Sequence, residues 1–300
     1  MDDKGWRGRV AGDARAAEER SGLARAAVLL LLIGLAWRAA GTPVAIVLAA
    51  LVPAGLYAIV LAALGRHVGR PPILLAAAFL WGAVPAAFLA STGNNLLQAW
   101  MAVLSSTSDA SVVVPRLGAP IVEELAKGAA LVVLVVVWPA QVAGAADGIV
   151  YGALVGLGFA VSENLLYLTL AAIQDGYAGL LRGAFLRGAV YGMNHAVFTA
   201  MTGAAVGWAR HTTSRAAALV APVAGFAAAV VVHVMWNTIA SDTISRMLCA
   251  APAPGGACQN PPPAHLLYVS VPLLVAFFVG PCIAVLVAVG RLSRTRLPGA

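Results

Sequence analysis

Acids, imidazoles and amides recur at intervals in the middle and C-terminal parts of this chain: Glu123-Glu124-x-x-Lys127, Glu163, His195 and His233-x-x-x-Asn237. Each lies in otherwise apolar sequence. Carboxylates and imidazoles take a proton from water and pass it on, and an amide or imidazole N–H can donate to a developing oxyanion. The types therefore suit hydrolysis. Glu123 or Glu124 would act as general base, with Lys127 countering the negative charge and His195 orienting the water. His233 and Asn237 would face the oxyanion, and Glu163 would orient a histidine or act as a further acid or base. That version requires no cofactor. The same side chains also supply a zinc version, with Glu124, Glu163, His195 and His233 as ligands and the metal acidifying the water. No HExxH is present to favour it. A proton or cation pathway of a transporter is the alternative of another class, and a non-catalytic scaffold is a third.

Helical spacing relates these residues to each other. Glu123 and Lys127 are i,i+4 and Glu124 and Lys127 i,i+3, so one ammonium can serve either carboxylate. His233 and Asn237 share a face in the same way, as do Phe159 and Glu163. Gly148, Gly152 and Gly156 recur every fourth residue, and Gly203 and Gly207 repeat the interval. Such rows let helix backbones approach closely. Asn194 and Thr199 read as interhelical hydrogen-bonding groups, and Asp147 as a helix cap.

The elements that must carry these residues are membrane helices. The chain is 61% hydrophobic and 10% charged, with a mean hydropathy of +0.89. This composition excludes a soluble globular domain. Alternating strand patterns are absent, which argues against a β-barrel. The expected fold is an all-α, polytopic membrane bundle of about eight transmembrane helices: Leu23–Ala40, Pro43–Leu64, Pro72–Ala90, Leu117–Val137, Ala146–Ala172, Ala184–Trp208, Ala216–Ala240 and Leu266–Gly290. Asn94–Ser106 is a candidate ninth or interfacial segment. The divisions are a cytoplasmic tail over 1–22, N-terminal helices and an outer loop over 23–116, a core over 117–240, an extracytoplasmic loop over 241–265, and a last helix with a basic tail over 266–300. Cys249 and Cys258 fall in that loop, where a disulfide is permitted in an oxidising compartment.

Most Arg and Lys residues fall before the first span, after alternate crossings and at the C-terminus. The positive-inside rule then places both termini in the cytoplasm. The net charge of +7 follows from that bias and is not a nucleic-acid signature, since no basic stripe with interleaved aromatics occurs. Converting position to depth at 1.5 Å per residue brings Glu123, Glu124, Lys127, Glu163, His195, His233 and Asn237 to within about 5–16 Å of the outer boundary. Four consecutive helices would thus share one polar layer.

The ordered set Glu123-Glu124-x-x-Lys127, Phe159-x-x-x-Glu163-Asn164, His195 and His233-x-x-x-Asn237 resembles the PrsW family of intramembrane proteases. Asp147-Gly148-x-x-Tyr151-Gly152 and Gly156-x-Gly158-Phe159 resemble it as well. That family is similar to the CAAX prenyl endopeptidases and the bacterial CPBP (Abi) membrane proteins. In the prenyl endopeptidases the second motif ends in His where Glu163 stands here. The resemblance covers about Leu117–Ala240. It implies peptide-bond hydrolysis at the membrane, with an anti-sigma-factor-like, membrane-anchored protein as substrate, cut near the extracytoplasmic face of a bacterial cell membrane.

Overall fold

A computed structural model describes residues 3–67 and 69–250. Nine α-helices occupy these residues: α1 (Asp3–Ala39), α2 (Val44–His67), α3 (Pro72–Trp81), α4 (Ala87–Leu104), α5 (Thr107–Val113), α6 (Ala119–Val137), α7 (Ala145–Ala184), α8 (Asn194–Ala209) and α9 (Arg215–Ala250). There is no strand among them. Wider π-helical turns sit at Gly82–Ala86, Val114–Gly118 and Phe185–Val190. The expected last span and Cys258 lie outside the described residues.

Among the described residues, five helical stretches are long and apolar enough to cross a membrane: Ala16–Ala39, Val44–Arg66, Pro72–Leu104, Ala145–Ala209 and Arg215–Thr238. The chain is thus a helical membrane protein. The described residues do not return the expected tally, for two physical reasons. Helix α6 is 19 residues long and apolar, about 28 Å at the α-helical rise, but it carries three charged side chains, Glu123, Glu124 and Lys127. The expected fifth and sixth spans are joined into one stretch by a hairpin.

That hairpin lies within α7. Gly176 takes φ 62°, a left-handed conformation that costs little only without a Cβ, and the chain folds back on itself there. The returning arm packs so tightly that a Cβ on Gly183 would lie 2.8 Å from Leu168 Cδ2. Asp175 and Arg182 pair across the tip at 2.5 Å. The arm ends in the π-helical turn, and the helix is interrupted over residues 191–193 before α8 begins. Ala184–Trp208 is therefore not one continuous span, and His195 lies in the first turn of α8 rather than midway along a helix. Irregular backbone at membrane depth is tolerated where it lines a cavity, and Tyr191 lines one.

Other expectations also shift. Asn94–Ser106 is not a separate segment, since α4 continues from α3 through the π-helical turn containing Pro85. Helix α1 begins at Asp3, well before the expected first span. Helix α9 runs to Ala250, past the expected exit at Ala240.

Helix α7 is the central element, with an unbroken buried run from Ala146 to Ser162. Its glycine row explains how α8 packs on it. A Cβ on Gly148 would collide with the Gly203 carbonyl, and one on Gly156 with the His195 carbonyl. A Cβ on Gly152 would lie 2.5 Å from the Thr199 carbonyl. The two helices run antiparallel with their backbones in direct contact. On another side, Gly158 and Gly82 let α7 approach α3 and its π-helical turn equally closely. Ser162 Oγ donates to the Ala83 carbonyl there, and Trp81 Nε1 donates to the Ala126 carbonyl at 3.2 Å, tying α3 to α6.

At the other end of α7, Asp147 pairs with Arg70 Nε at 3.0 Å and accepts from the Ala143 N–H at 2.9 Å. Asp147 is thus not the N-cap expected of it: Gly144 takes that position, and Asp147 stands in the first turn, tied to Arg70 and to the chain before the helix. Gly156→Val should lower the unfolding free energy by about 1–3 kcal/mol through overpacking and displace His195. Gly128→Val, where a Cβ meets nothing within 4 Å, should leave the thermal midpoint in detergent unchanged.

Candidate active site

The polar residues reach one place from four helices. Helix α6 presents Glu123, Glu124 and Lys127, α7 presents Glu163 and Asn164, α8 presents His195 and Thr199, and α9 presents His233 and Asn237. All of the first eight except Glu163 are buried.

Lys127 lies at the centre and is fully inaccessible, at 0% exposure. Its Nζ donates to Glu124 Oε1 at 2.5 Å and to His195 Nδ1 at 3.2 Å, and lies 3.9 Å from Glu123 Oε2. The Phe159 ring is 4.3 Å away beneath the ammonium, adding a cation–π contact. A charge this deep is tolerable only with such partners. Glu124 is equally enclosed. Besides Lys127, its Oε1 accepts from His233 Nδ1 at 3.0 Å, and its Oε2 accepts from Thr199 Oγ1 at 3.1 Å.

Each histidine is thus oriented by its own glutamate. His233 gives its Nδ1–H to Glu124, which leaves Nε2 3.6 Å from Glu123 Oε2. His195 gives its Nε2–H to Glu163 Oε2 at 2.9 Å, which leaves Nδ1 facing Lys127. The rings stand edge to face with centroids 5.1 Å apart. Phe198 stacks on His233 at 4.7 Å and Phe159 leans on His195 at 5.2 Å. A carboxylate bonded to each imidazole fixes its tautomer and heading, as in many metal sites.

Glu163 is held in turn by Arg187, whose Nη2 donates to Glu163 Oε2 and whose Nε donates to Asn164 Oδ1, both at 2.6 Å. The guanidinium lies 4.2 Å over the Tyr167 ring. Arg187 comes from the returning arm of the α7 hairpin. In sequence it reads as a loop charge, and no helical spacing links it to Glu163. Asn237 binds elsewhere. Its Nδ2 donates to the Pro115 carbonyl at 2.9 Å, which Pro120, lacking an N–H, cannot satisfy from the next turn.

A cavity of about 670 Å³ opens onto this cluster, lined among others by Asn94, Arg116, Glu123, Glu163, Arg187, His195 and Asn237. Glu124, Lys127 and His233 stand behind its wall. The volume lies in the range of ligand sites. Glu123 is the member of the acidic pair that meets the cavity, steadied by Asn94 Nδ2 at 3.4 Å, while its buried Oε2 has no hydrogen-bond partner.

One ligand atom from each of Glu123, His195 and His233 lies within 4.8 Å of the others, and all three residues are buried. The 3.6 Å between Glu123 Oε2 and His233 Nε2 is close to the separation of two tetrahedral zinc ligands, roughly 3.4 Å from bonds of about 2.1 Å. Glu123 Oε2 and His233 Nε2 therefore fit a zinc ion, and His195 would complete the set once its Nδ1 is released by Lys127. The set differs from the one expected, because both Glu124 oxygens are committed and Glu163 is turned toward Arg187.

A family model described as PrsW family intramembrane metalloprotease matches residues 70–280. The chain belongs to that family and is an intramembrane protease. No curated protein and no solved structure gives a significant match.

Lys127→Met should cost about 3–5 kcal/mol of stability, because it leaves a buried carboxylate without its cation; denaturant or thermal unfolding in micelles would measure this. Arg187→Ala should lower kcat while leaving the thermal midpoint within a few degrees. Arg187→Lys should restore part of the rate.

Proposed function

We propose that this protein hydrolyses a peptide bond of a single-pass, membrane-anchored protein inside the cavity on Glu123, using Glu123, His195 and His233. The observation that carries the reading is the convergence of these three groups, with Glu123 and His195 at the cavity wall, His233 directly behind it, and each imidazole oriented by a carboxylate. The residues a zinc ion would use are the same three, and a bound zinc would polarise the scissile carbonyl and acidify water.

The chain's own groups set up the chemistry around that point. Glu124 holds the Nδ1 proton of His233, so the ring's Nε2 lone pair faces Glu123. Glu163, positioned by Arg187, which Asn164 holds in turn, does the same for His195 from the cavity side and can accept or return a proton there. Lys127 neutralises Glu124 and keeps the two adjacent carboxylates of α6 from repelling one another. Phe159 and Phe198 exclude water from the back of both imidazoles, which strengthens each polar contact. Asn237 fastens α9 to the turn before α6 and so sets the height of His233.

A metal-free version has its own support. Lys127 Nζ already occupies the lone pair of His195 Nδ1, in competition with any metal there. Glu123 would then take the proton of water directly, as in the glutamate-led route suggested by the likeness to prenyl endopeptidases. The transport alternative gains nothing from the fold or from the family match.

The substrate side follows from the arginine bias and the depth of the polar layer. With both termini in the cytoplasm of a bacterial cell, the cavity would lie toward the extracytoplasmic face and take an anti-sigma-factor-like protein there. Core residues 117–240 would carry the reaction.

Purified protein in lipid discs should cleave a panel of fluorescently tagged single-pass substrates, and Glu123→Gln should reduce that rate at least about 100-fold. If zinc serves the reaction, elemental analysis should find about one equivalent in the wild type and much less in His195→Ala and His233→Ala, with chelator-treated enzyme regaining activity on zinc addition. Full activity in chelator with no bound metal would leave the Glu123-led route. Undiminished cleavage by Glu123→Gln would refute both.

A further inference from the structure

The cavity has a wall that the hydrolytic groups do not account for. Asn94, Asn95 and Gln98 line it from α4, three carboxamides within about one helical turn. The remainder of α4 carries no ionisable side chain. Gly93 makes this placement possible: a Cβ there would lie 2.6 Å from Val122 Cγ1, so α4 rests closely on α6 and brings Asn94 to Glu123. Asn94 Nδ2 donates to Glu123 Oε1 at 3.4 Å, while its Oδ1 is buried and without a hydrogen-bond partner. An unpaired buried acceptor beside the reacting groups is costly, and a turn of the carboxamide toward the cavity would let a donor satisfy it.

We propose that this carboxamide row binds the unwound main chain of the substrate next to the scissile bond; the inference rests on the peptidase reading above. A peptide bond in a membrane helix is enclosed by its own hydrogen bonds and must leave the helix before it can be attacked. Every N–H and C=O so released needs a partner, because an unpaired one in a low-dielectric site is costly. A carboxamide offers the same pair of functions as the peptide group, one acceptor oxygen and an NH₂ donor. It also carries no charge, so it recognises main chain without selecting side chains. The charged groups of the cavity, Glu123, Glu163, Arg116 and Arg187, lie on other elements. The link from Asn94 to Glu123 places a chain bound on the row alongside the hydrolytic carboxylate.

The test uses the full chain carrying Glu123→Gln in lipid discs, with two fluorescein-labelled probes. One is an unstructured Ala/Ser decapeptide, and the other is the same peptide N-methylated at alternate residues, which removes main-chain donors. The plain peptide should bind about tenfold more tightly, the equivalent of one or two hydrogen bonds. Adding Asn95→Leu and Gln98→Leu should reduce that preference to less than about twofold. Gln98→Met, which keeps the side-chain length but removes the acceptor, should give an intermediate preference and serves if the double variant does not fold. No binding, equal binding of the two probes, or a preference unchanged in these variants would overturn the proposal. Wild type that cleaves membrane-anchored substrates yet shows no such preference would refute the carboxamide row alone. Wild type that cleaves none of them would refute the peptidase reading instead.

Discussion

The structure depends on one ammonium group placed where no water reaches it. Lys127 has 0% exposure, and its Nζ contacts Glu124 and His195 while lying within 3.9 Å of Glu123. A cation cannot remain charged at such depth without partners on several sides. Those partners come from α6 and α8, and His233 joins from α9 through Glu124. Three helices are therefore held to one register by a single network. In membranes, where apolar burial does little to distinguish one helix pairing from another, such a network gives the bundle a specific arrangement.

Close backbone packing makes the network geometrically possible. The glycines of α7 bring α8 against it with carbonyls standing where a Cβ would otherwise be, and His195 is one of the residues whose backbone meets that row. The same helix approaches α3 through Gly158 and Gly82. Because α7 is squeezed from two sides, Glu163 and Phe159 have little freedom. The hairpin at Gly176 then returns the chain so that Arg187 reaches a carboxylate 24 residues earlier. Packing and charge compensation thus reinforce each other, and the cavity is the space left where they meet.

The arrangement also separates tasks between two adjacent glutamates. Glu124 faces inward and has both oxygens occupied, whereas Glu123 meets the cavity with one oxygen open. Neighbouring positions on a helix point about 100° apart, so a Glu-Glu pair necessarily divides its faces. Which of the two would face the cavity could not be decided from spacing, since Lys127 is one turn from either.

Much was legible in the residues themselves. Charges within apolar stretches announced a membrane protein with a polar interior, because no other class tolerates that composition. The helical intervals linked Glu123 and Glu124 to Lys127, the glycine rows marked the α7–α8 contact, and the ordered motifs indicated the protease family that the match over residues 70–280 establishes. These features were readable because they are local: period, spacing and hydropathy act within a few turns of one helix. The break before α8, the hairpin at Gly176, the reach of Arg187 and the carboxamides of α4 at the cavity were decided only by tertiary structure. Each depends on where a distant segment packs, and a long polar side chain leaves no periodic trace of the partner it will meet.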